Sequence, residues 1–304
     1  MIELARSSVQ TWECDQMGHM NVQLYVERAC DALAAFGARI GLGPKALAEK
    51  GLVLEPAEQH IRFLRELGPG TPYYLRGGAV EADVMALTHY SELVMTASGE
   101  VAASFRTRAH LRDITDNEIV GFEDGARAMA VHHKVDIPTH GRPRGLVLDR
   151  PRESAPTLAD ADALKLTPTF EGVVRPWECD RHGEMLPRYF MARVSDAIPN
   201  LLVQTSGRDR GQERTTGGAA LEYRFIYRKR PHAGDLLCIR SGLRAIGAKT
   251  YVWAHWLFDA ETGEAIATSE AVAVAMDMTT RKAIDIPPEM RTRLEPLVIA
   301  GLTV

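Results

Sequence analysis

One tetrapeptide occurs twice in the sequence, and this repeat limits the fold more than any other feature. The stretch WECDQMGHMNVQLYV begins at Trp12, and the stretch WECDRHGEMLPRYFM begins at Trp177. Identical residues continue in the same register on both sides, from Val9 against Val174 to Ala32 against Ala197. A tetrapeptide repeated by chance would not extend in this way, so the repeat indicates a duplicated domain.

Three further segments recur in the same order in both halves of the chain. They are IRFLREL (61–67) with YRFIYRK (223–229), THYSELVMTASGEVAAS (88–104) with TYVWAHWLFDAETGEAIATS (250–269), and DITDNEIVGF (113–122) with DMTTRKAIDI (277–286). We therefore predict an N-terminal domain over 1–135 and a C-terminal domain over 169–304. Residues 136–168 are rich in Pro, Asp and Arg and are predicted to be a linker.

The order of elements is the same in each predicted domain. A strand (about 3–13 and 171–178) leads into a loop with Asp and Gly, and a helix follows. Apolar residues recur at three and four through 22–40, which is typical of an amphipathic helix. In the second domain the helix is predicted over about 188–204, where Pro199 should kink or shorten it. Apolar runs split by Gly-containing turns then predict three or four antiparallel strands, whose sheet can bury one face on the helix.

Composition excludes several classes of protein. A net charge of −4 over 304 residues argues against a nucleic-acid-binding surface. No apolar run is long enough to cross a membrane, and the N-terminus lacks the pattern of a signal peptide, so a cytoplasmic protein is expected. The four cysteines form no CxxC pair, which argues against a zinc site or a redox pair of cysteines. The sequence implies no metal or redox cofactor. The two repeated tryptophans are predicted to lie in the core, with a wall of the acyl pocket as the alternative.

The loop before the first helix carries a recognisable pattern. A strand, then Asp-x-x-Gly-His-x-Asn entering a long helix with a Tyr, then a four-stranded meander, resembles the hotdog thioesterases of the 4-hydroxybenzoyl-CoA thioesterase type. The duplication is similar to that of double-hotdog acyl-ACP thioesterases. The resemblance implies an α+β fold of two tandem hotdog domains, each an antiparallel sheet wrapped around a long central helix, packed as a pseudo-dimer with active sites at the shared interface.

Hydrolysis of a thioester needs a carboxylate that activates water or attacks directly, and a donor for the developing oxyanion. In the first domain Asp15 supplies the carboxylate, and the resemblance implies that it is the base or nucleophile. The free amide near Val22 would face the oxyanion. His19 would orient the carboxylate or bind the carbonyl or the water, and Asn21 would position water or cap the helix. An Asp or Asn at such a position is also an ordinary helix cap.

The second domain keeps Asp180 but has Glu184 where the first has His19, and Leu186 where the first has Asn21. Pro187 stands at the position of Val22, and proline has no N–H to donate. We therefore expect the first domain to be catalytic and the second to shape the pocket. The residues predicted to bind substrate are Tyr25, Asp180, Glu184, Arg228, Lys229 and Arg230, the last three as ligands for the phosphates of coenzyme A. The alternatives are a solvated strand end for these three cations and a solvated surface acid for Glu184.

The sequence leaves the substrate and the assembly open. An acyl-CoA thioesterase is the main hypothesis, and an acyl-ACP thioesterase or a non-catalytic acyl-CoA-binding hotdog protein is the alternative. A hydratase on the same fold is less consistent, because that chemistry usually uses a different loop pattern. Expected partners are therefore an acyl-CoA or acyl-ACP substrate, with neither nucleic acid nor membrane. A homodimer of double-hotdog chains is left open.

Overall fold

The computed structural model describes residues 1–148, 155–206 and 216–304. These residues form two compact units, Met1–Pro143 and Arg144–Val304. Each unit contains one long helix and a five-stranded antiparallel sheet with a short additional strand. This is the architecture of two tandem hotdog domains that the resemblance implies. The side-by-side pairing of the two domains stays a prediction.

The first unit contains the helix with the intact loop. Its strands follow the order β1-β3-β4-β5-β2, and β6 pairs with β5. The bounds of its elements are β1 Ile2–Ser8, α1 Val22–Arg39, α2 Pro44–Glu49, β2 Leu52–Phe63, β3 Pro72–Ala82, β4 Leu87–Met95, β5 Val101–Asp113, β6 Ile119–Val120 and α3 Asp124–His132.

The second unit repeats this arrangement. Its strands follow the order β8-β11-β10-β9-β7, and β12 pairs with β11. The bounds of its elements are α4 Leu158–Ala163, β7 Thr167–Val173, α5 Pro187–Ser206, β8 Thr216–Tyr227, β9 Leu236–Ile246, β10 Thr250–Asp259, β11 Ala265–Asp277, β12 Lys282–Ala283 and α6 Pro288–Leu294.

Helix α1 forms because its apolar residues share one face that the sheet covers. The buried residues of this helix are Leu24, Tyr25, Val26, Ala29, Ala32, Leu33, Phe36 and Gly37. Phe36 stacks on His89 of β4 with their ring centroids 4.8 Å apart. The side chain of Asn21 caps the helix by accepting a hydrogen bond from the amide of Gln23 at 3.1 Å. The predicted helix over 22–40 is thus confirmed to within one residue.

Several local predictions need correction. The first strand of each unit ends early, and the WECD stretches instead begin with 3₁₀ turns at Thr11–Glu13 and Pro176–Glu178. Pro199 lies inside α5, which extends to Ser206, so it does not shorten the helix. Helix α5 packs on β7 around this proline, and there the side-chain Nδ2 of Asn200 donates to the carbonyl of Thr169 at 2.9 Å.

The repeated tryptophans are not in the core. Trp12 is 82% exposed and Trp177 is 70% exposed. The 3₁₀ turn that replaces the predicted strand breaks the alternation of inward and outward side chains, and both indole rings point to solvent as a result. The prediction of a core position was therefore wrong.

The segment predicted as a linker, 136–168, contributes to both units. It contains a 3₁₀ turn at Thr139–Gly141 in the first unit and helix α4 in the second. In the first unit His140 contacts Glu92 with a nitrogen–oxygen distance of 2.6 Å. In the second unit Leu146 is buried, and the amide of Arg144 donates to the carboxylate of Glu222 at 3.2 Å. Predicted linker residues 149–154 lie outside the described residues.

Candidate active site

The repeated Glu holds each 3₁₀ turn against the following helix. In the first unit the carboxylate of Glu13 accepts a hydrogen bond from the amide of Gln10 at 2.8 Å and one from Arg28 of α1 at 2.5 Å. Glu13 and Arg28 are largely buried, with side chains 11% and 15% exposed. Glu178 and Arg193 make the same pair in the second unit. In both units this ion pair, the Glu–Arg clamp, therefore fixes the turn and positions the loop that follows it.

Asp15 shapes the loop that carries it. Its Oδ1 accepts hydrogen bonds from the amides of Met17 at 2.8 Å and His19 at 3.4 Å. Its own amide donates to the carbonyl of His19 at 2.9 Å, which closes the loop before α1. Both side-chain bonds end on Oδ1. The carboxylate thus supports the loop before α1.

Asp180 repeats this geometry. Its Oδ1 accepts from the amides of His182 at 2.7 Å and Glu184 at 3.1 Å, and its amide donates to the carbonyl of Glu184 at 2.8 Å. A structural reason therefore exists for an Asp at this position in both units. It means that retention of the Asp alone does not mark a catalytic site.

His19 pairs with a residue that the motif did not predict. The ring Nε2 of His19 lies 3.2 Å from Oε2 of Glu66, and the two side chains are 29% and 51% exposed. The loop and Glu66 are neighbours because the amide of Met20 donates to the carbonyl of Leu67 at 2.8 Å. A carboxylate bonded to one ring nitrogen fixes the orientation of an imidazole, so Glu66 is a candidate positioning residue.

Tyr25 lies behind the loop and is only 4% exposed. Its ring meets that of Phe63 edge to face with centroids 5.0 Å apart, and its hydroxyl bonds the backbone of Leu67. Burial raises the pKa of Tyr25 above its ordinary value, and the charges of Glu66 and Asp15 act in the same direction. The hydroxyl therefore stays protonated beside two carboxylates.

The helix termini differ between the units as the sequence predicts. Helix α1 begins at Val22 after the cap at Asn21, and α5 begins at Pro187 after Leu186. Within the residues that the structure describes, the amide of Val22 donates to no other group. An unpaired amide at a helix N-terminus favours an anion. The first unit offers this donor, and the proline of the second unit cannot.

The backbone also corrects the alignment of the two units at the end of β2 and β8. The amides of Leu64 and Arg65 both donate to the carbonyl of Ala102, and the amides of Arg228 and Lys229 both donate to Ile266. Leu64 is therefore equivalent to Arg228, whereas the sequence alignment is shifted by two residues. The shared Arg-Phe pair in the two segments caused this error.

The corrected alignment makes Glu66 equivalent to Arg230. The His19–Glu66 pair of the first unit thus corresponds to Glu184 and Arg230 in the second, with acidic and basic residues exchanged. Of the predicted site residues, the first unit brings together Asp15, His19 and the start of α1. The second unit brings together Asp180, Glu184 and the segment that contains Arg230.

A family model described as the thioesterase-like superfamily matches residues 9–138 and 174–294. The chain belongs to the thioesterase-like superfamily. The two matched ranges cover the loop and helix of each unit, so both halves are members of this family. Thioester hydrolysis is the reaction that this membership supports. A comparison with curated protein sequences finds no significant match.

Solved structures agree with this family assignment at the level of the fold. A protein assigned as an oleoyl thioesterase from Lactobacillus plantarum is similar with a TM-score of 0.68 and 12% identity, over 90% of this chain and 96% of that one. The 12:0-ACP thioesterase of Umbellularia californica has a TM-score of 0.65 and 10% identity, over 89% and 92% of the two chains. An acyl-ACP thioesterase of Bacteroides thetaiotaomicron has a TM-score of 0.63 and 11% identity, over 88% and 96%.

Two further findings concern the described residues as a whole. Across the part of the chain that the structure describes, no group of three or more His, Cys, Asp or Glu side chains could hold a metal ion. In the same residues, no helix is long and apolar enough to cross a membrane.

The pairing of His19 with Glu66 leads to a kinetic prediction. We expect His19→Gln to lower kcat for thioester hydrolysis about 100-fold, as for loss of a group that handles a proton or binds the reacting carbonyl. Glu66→Gln should lower kcat about 10-fold, because the imidazole remains but loses the partner that orients it. Thiol release under saturating substrate measures both effects.

The control for this prediction is Glu100→Gln, which removes a carboxylate of similar exposure (52%) that is paired with Arg65 instead. This variant should keep the wild-type kcat. An unchanged kcat in Glu66→Gln would show that His19 needs no orientation by this residue.

Proposed function

We propose that this chain is an acyl-CoA thioesterase whose active site is the loop at the start of α1. The observation that carries the proposal is the coincidence of the Asp15 carboxylate with the unpaired amide of Val22, on either side of one short closed loop. A carboxylate and an oxyanion donor are the two groups that the reaction requires. No metal or redox cofactor takes part.

In the proposed reaction Asp15 removes a proton from water as the water oxygen attacks the thioester carbonyl. Alternatively, Oδ2 attacks directly and water then hydrolyses the mixed anhydride. In either route the amide of Val22 donates to the oxyanion. The carbon–sulfur bond then breaks, and a thiolate leaves readily because the pKa of a thiol is only about 8.5.

The remaining residues have supporting roles in this proposal. His19, oriented by Glu66, binds the carbonyl or the attacking water, and Asn21 caps α1 so that its first amide stays in place. Tyr25 is buried and supports the loop from behind, and its contact with substrate stays a prediction. Asp180 and Glu184 shape the second loop, and Arg228, Lys229 and Arg230 bind phosphate groups of the substrate.

The same geometry is consistent with an acyl-ACP substrate, since the carrier lies outside the reacting atoms. A protein that binds acyl-CoA without hydrolysis is a weaker alternative, because it would not need the unpaired amide beside a carboxylate. We prefer acyl-CoA because of the basic residues at the end of β8, where guanidinium groups can bind phosphates bidentately.

A thiol-release assay tests this proposal. We expect hydrolysis across a panel of short, long, aromatic and charged acyl-CoAs to identify at least one good substrate, with a kcat/KM above that of the matching acyl-ACP. A chelator should leave the rate unchanged. Turnover of acyl-ACP alone would replace the proposed substrate class, and the absence of thiol release from every thioester would contradict the proposed function.

A further inference from the structure

The second unit has gained positive charge around the loop that lost its catalytic residues. The backbone equivalences allow a comparison of the two units position by position. The replacements are Gln10 by Arg175, Gln16 by Arg181, Gln23 by Arg188, Leu64 by Arg228, Arg65 by Lys229 and Glu66 by Arg230. Six cations in the second unit thus stand where the first unit has one. This change is concentrated in one region of a chain whose net charge is −4.

These cations lie on two segments that the fold brings side by side. The amide of Met185 donates to the carbonyl of Pro231 at 2.8 Å, and the amide of Ala233 donates to the carbonyl of Gly183 at 3.2 Å. The loop with Arg181 is therefore adjacent to the segment with Arg230. Arg175, Arg181 and Lys229 are exposed, and Lys229 forms an ion pair with Glu264. His232 adds a titratable group at the same edge.

An aromatic surface adjoins these cations. Trp177 is 70% exposed, and its carbonyl accepts a hydrogen bond from the hydroxyl of Tyr189 at 3.4 Å. The guanidinium of Arg188 stacks on the ring of Tyr189, with 4.7 Å between its Cζ and the ring centroid. These exposed and half-buried side chains lie on adjoining segments of the second unit, and we call them the basic loop surface (Trp177, Arg181, Arg188, Tyr189 and Arg230).

The exposed indole is the part of the repeated tetrapeptide without a role inside its own unit. Glu178 clamps the turn to Arg193, the thiol of Cys179 donates to the carbonyl of Arg175 at 3.5 Å, and Asp180 closes the loop. An exposed indole beside arginines suits a ligand that combines an aromatic ring with phosphates. Carboxylates are also present: Glu178 is bound to Arg193, Oδ1 of Asp180 is bound to loop amides, and Glu184 lies in the same loop opposite His232.

We propose that the basic loop surface binds the phosphorylated adenosine end of coenzyme A. Arg181, Arg188 and Arg230 bind the phosphates, and the adenine ring stacks on Trp177. This inference rests on the proposed acyl-CoA substrate class and assigns the second loop a ligand of its own. A nucleotide fits better than a carrier protein, because a protein partner would need about 800 Å² of surface, whereas a nucleotide needs only a few forked cations and one flat ring.

Binding of a nucleotide without a thioester tests the proposal independently of hydrolysis. Adenosine 3′,5′-bisphosphate should bind the wild-type protein in isothermal titration calorimetry and quench tryptophan fluorescence. The double variant Arg181→Gln/Arg188→Gln has the residues of the first unit at equivalent positions, so folding should be preserved, and its Kd should rise at least 10-fold. Trp177→Ala should raise the Kd about 5-fold and remove the quenching.

The control is Arg39→Gln/Lys45→Gln, which removes two exposed cations from the first unit and should leave the Kd unchanged. The Arg181→Gln/Arg188→Gln variant should also be tested in kinetics against acyl-CoA and against the matching acyl-N-acetylcysteamine, which lacks the nucleotide. The preference for acyl-CoA, measured as the ratio of the two kcat/KM values, should fall at least 10-fold. An unchanged Kd in the Arg181→Gln/Arg188→Gln protein would overturn the proposal even if acyl-CoA is hydrolysed. The proposal would also be overturned if this variant bound acyl carrier protein more weakly than the wild type does but bound the nucleotide equally well.

Nucleotide binding that weakens as expected would support the proposal even if no thioester is hydrolysed. The proposed function would then fail separately, and the chain would be a coenzyme A-binding protein. Thermal unfolding of each variant shows whether its fold is retained.

Discussion

Asp15→Asn should lower kcat for thiol release about 100-fold or more, whereas Asp180→Asn should lower it less than about threefold. The first value is the effect expected from loss of a general base. The difference arises because only the first loop is followed by an amide that can bind the oxyanion, a donor that contributes about 3–4 kcal/mol in other enzymes. Pro187 lacks that N–H in the second unit.

The two substitutions control for each other unusually well. Each Asp accepts two loop amides on Oδ1, and the carbonyl oxygen of Asn can accept the same bonds. Any structural cost should therefore be similar in the two variants, and thermal unfolding would measure it. The prediction that only the first loop is catalytic would be contradicted if Asp180→Asn is folded and as inactive as Asp15→Asn. Asp180 would then act on the thioester itself.

Acidification below about pH 6.5 should destabilise this protein through two buried histidines. His89 of β4 and His255 of β10 are both fully buried. Burial lowers the pKa of His89 to about 3 and that of His255 to about 4, from the ordinary histidine value of 6.5. The unfolded chain therefore binds protons at these residues near pH 6.5, and the folded chain binds them only at much lower pH.

The sign of this effect follows from the depressed pKa values. The stability that the two buried, neutral histidines contribute to the folded chain is complete above pH 6.5. It is lost as the pH falls toward 4 and then 3. Each histidine contributes a slope of up to about 1.4 kcal/mol per pH unit within that window. We therefore expect the urea midpoint to fall steeply between pH 6.5 and 5.

Denaturant unfolding at half-unit steps of pH measures this effect. His132 is exposed, so His132→Gln should show the same pH dependence as the wild type. A free energy of unfolding that stays constant from pH 6.5 to 5 would mean that both histidines accept protons without unfolding.

The sequence predicted the elements whose signals are local. The start of α1 at Val22 follows from Asn21 as a cap and from the spacing of apolar residues, and the loss of the donor at Pro187 follows from the chemistry of proline. The duplication was visible because identical residues persist in register. These features depend on neighbours within a few residues, which a single sequence contains in full.

The features that were missed depend on contacts between distant segments. Glu66 meets His19 only because the chain after β2 returns to the loop, and no spacing in the sequence records that contact. The two tryptophans were placed in the core because large apolar side chains usually are buried. The 3₁₀ turns that expose them are fixed by Glu13 and Glu178, whose partners are on the helices.

The Glu–Arg clamp of each turn separates mechanical support from chemistry. Glu13 with Arg28, and Glu178 with Arg193, hold the backbone of the loop without using any residue that would touch a thioester. The loop positions after the clamp are therefore free to diverge, since exchanging them does not remove the bonds that place the loop. A duplicated domain built in this way can lose catalysis in one half and acquire a new ligand preference there, while the other half continues to turn over substrate.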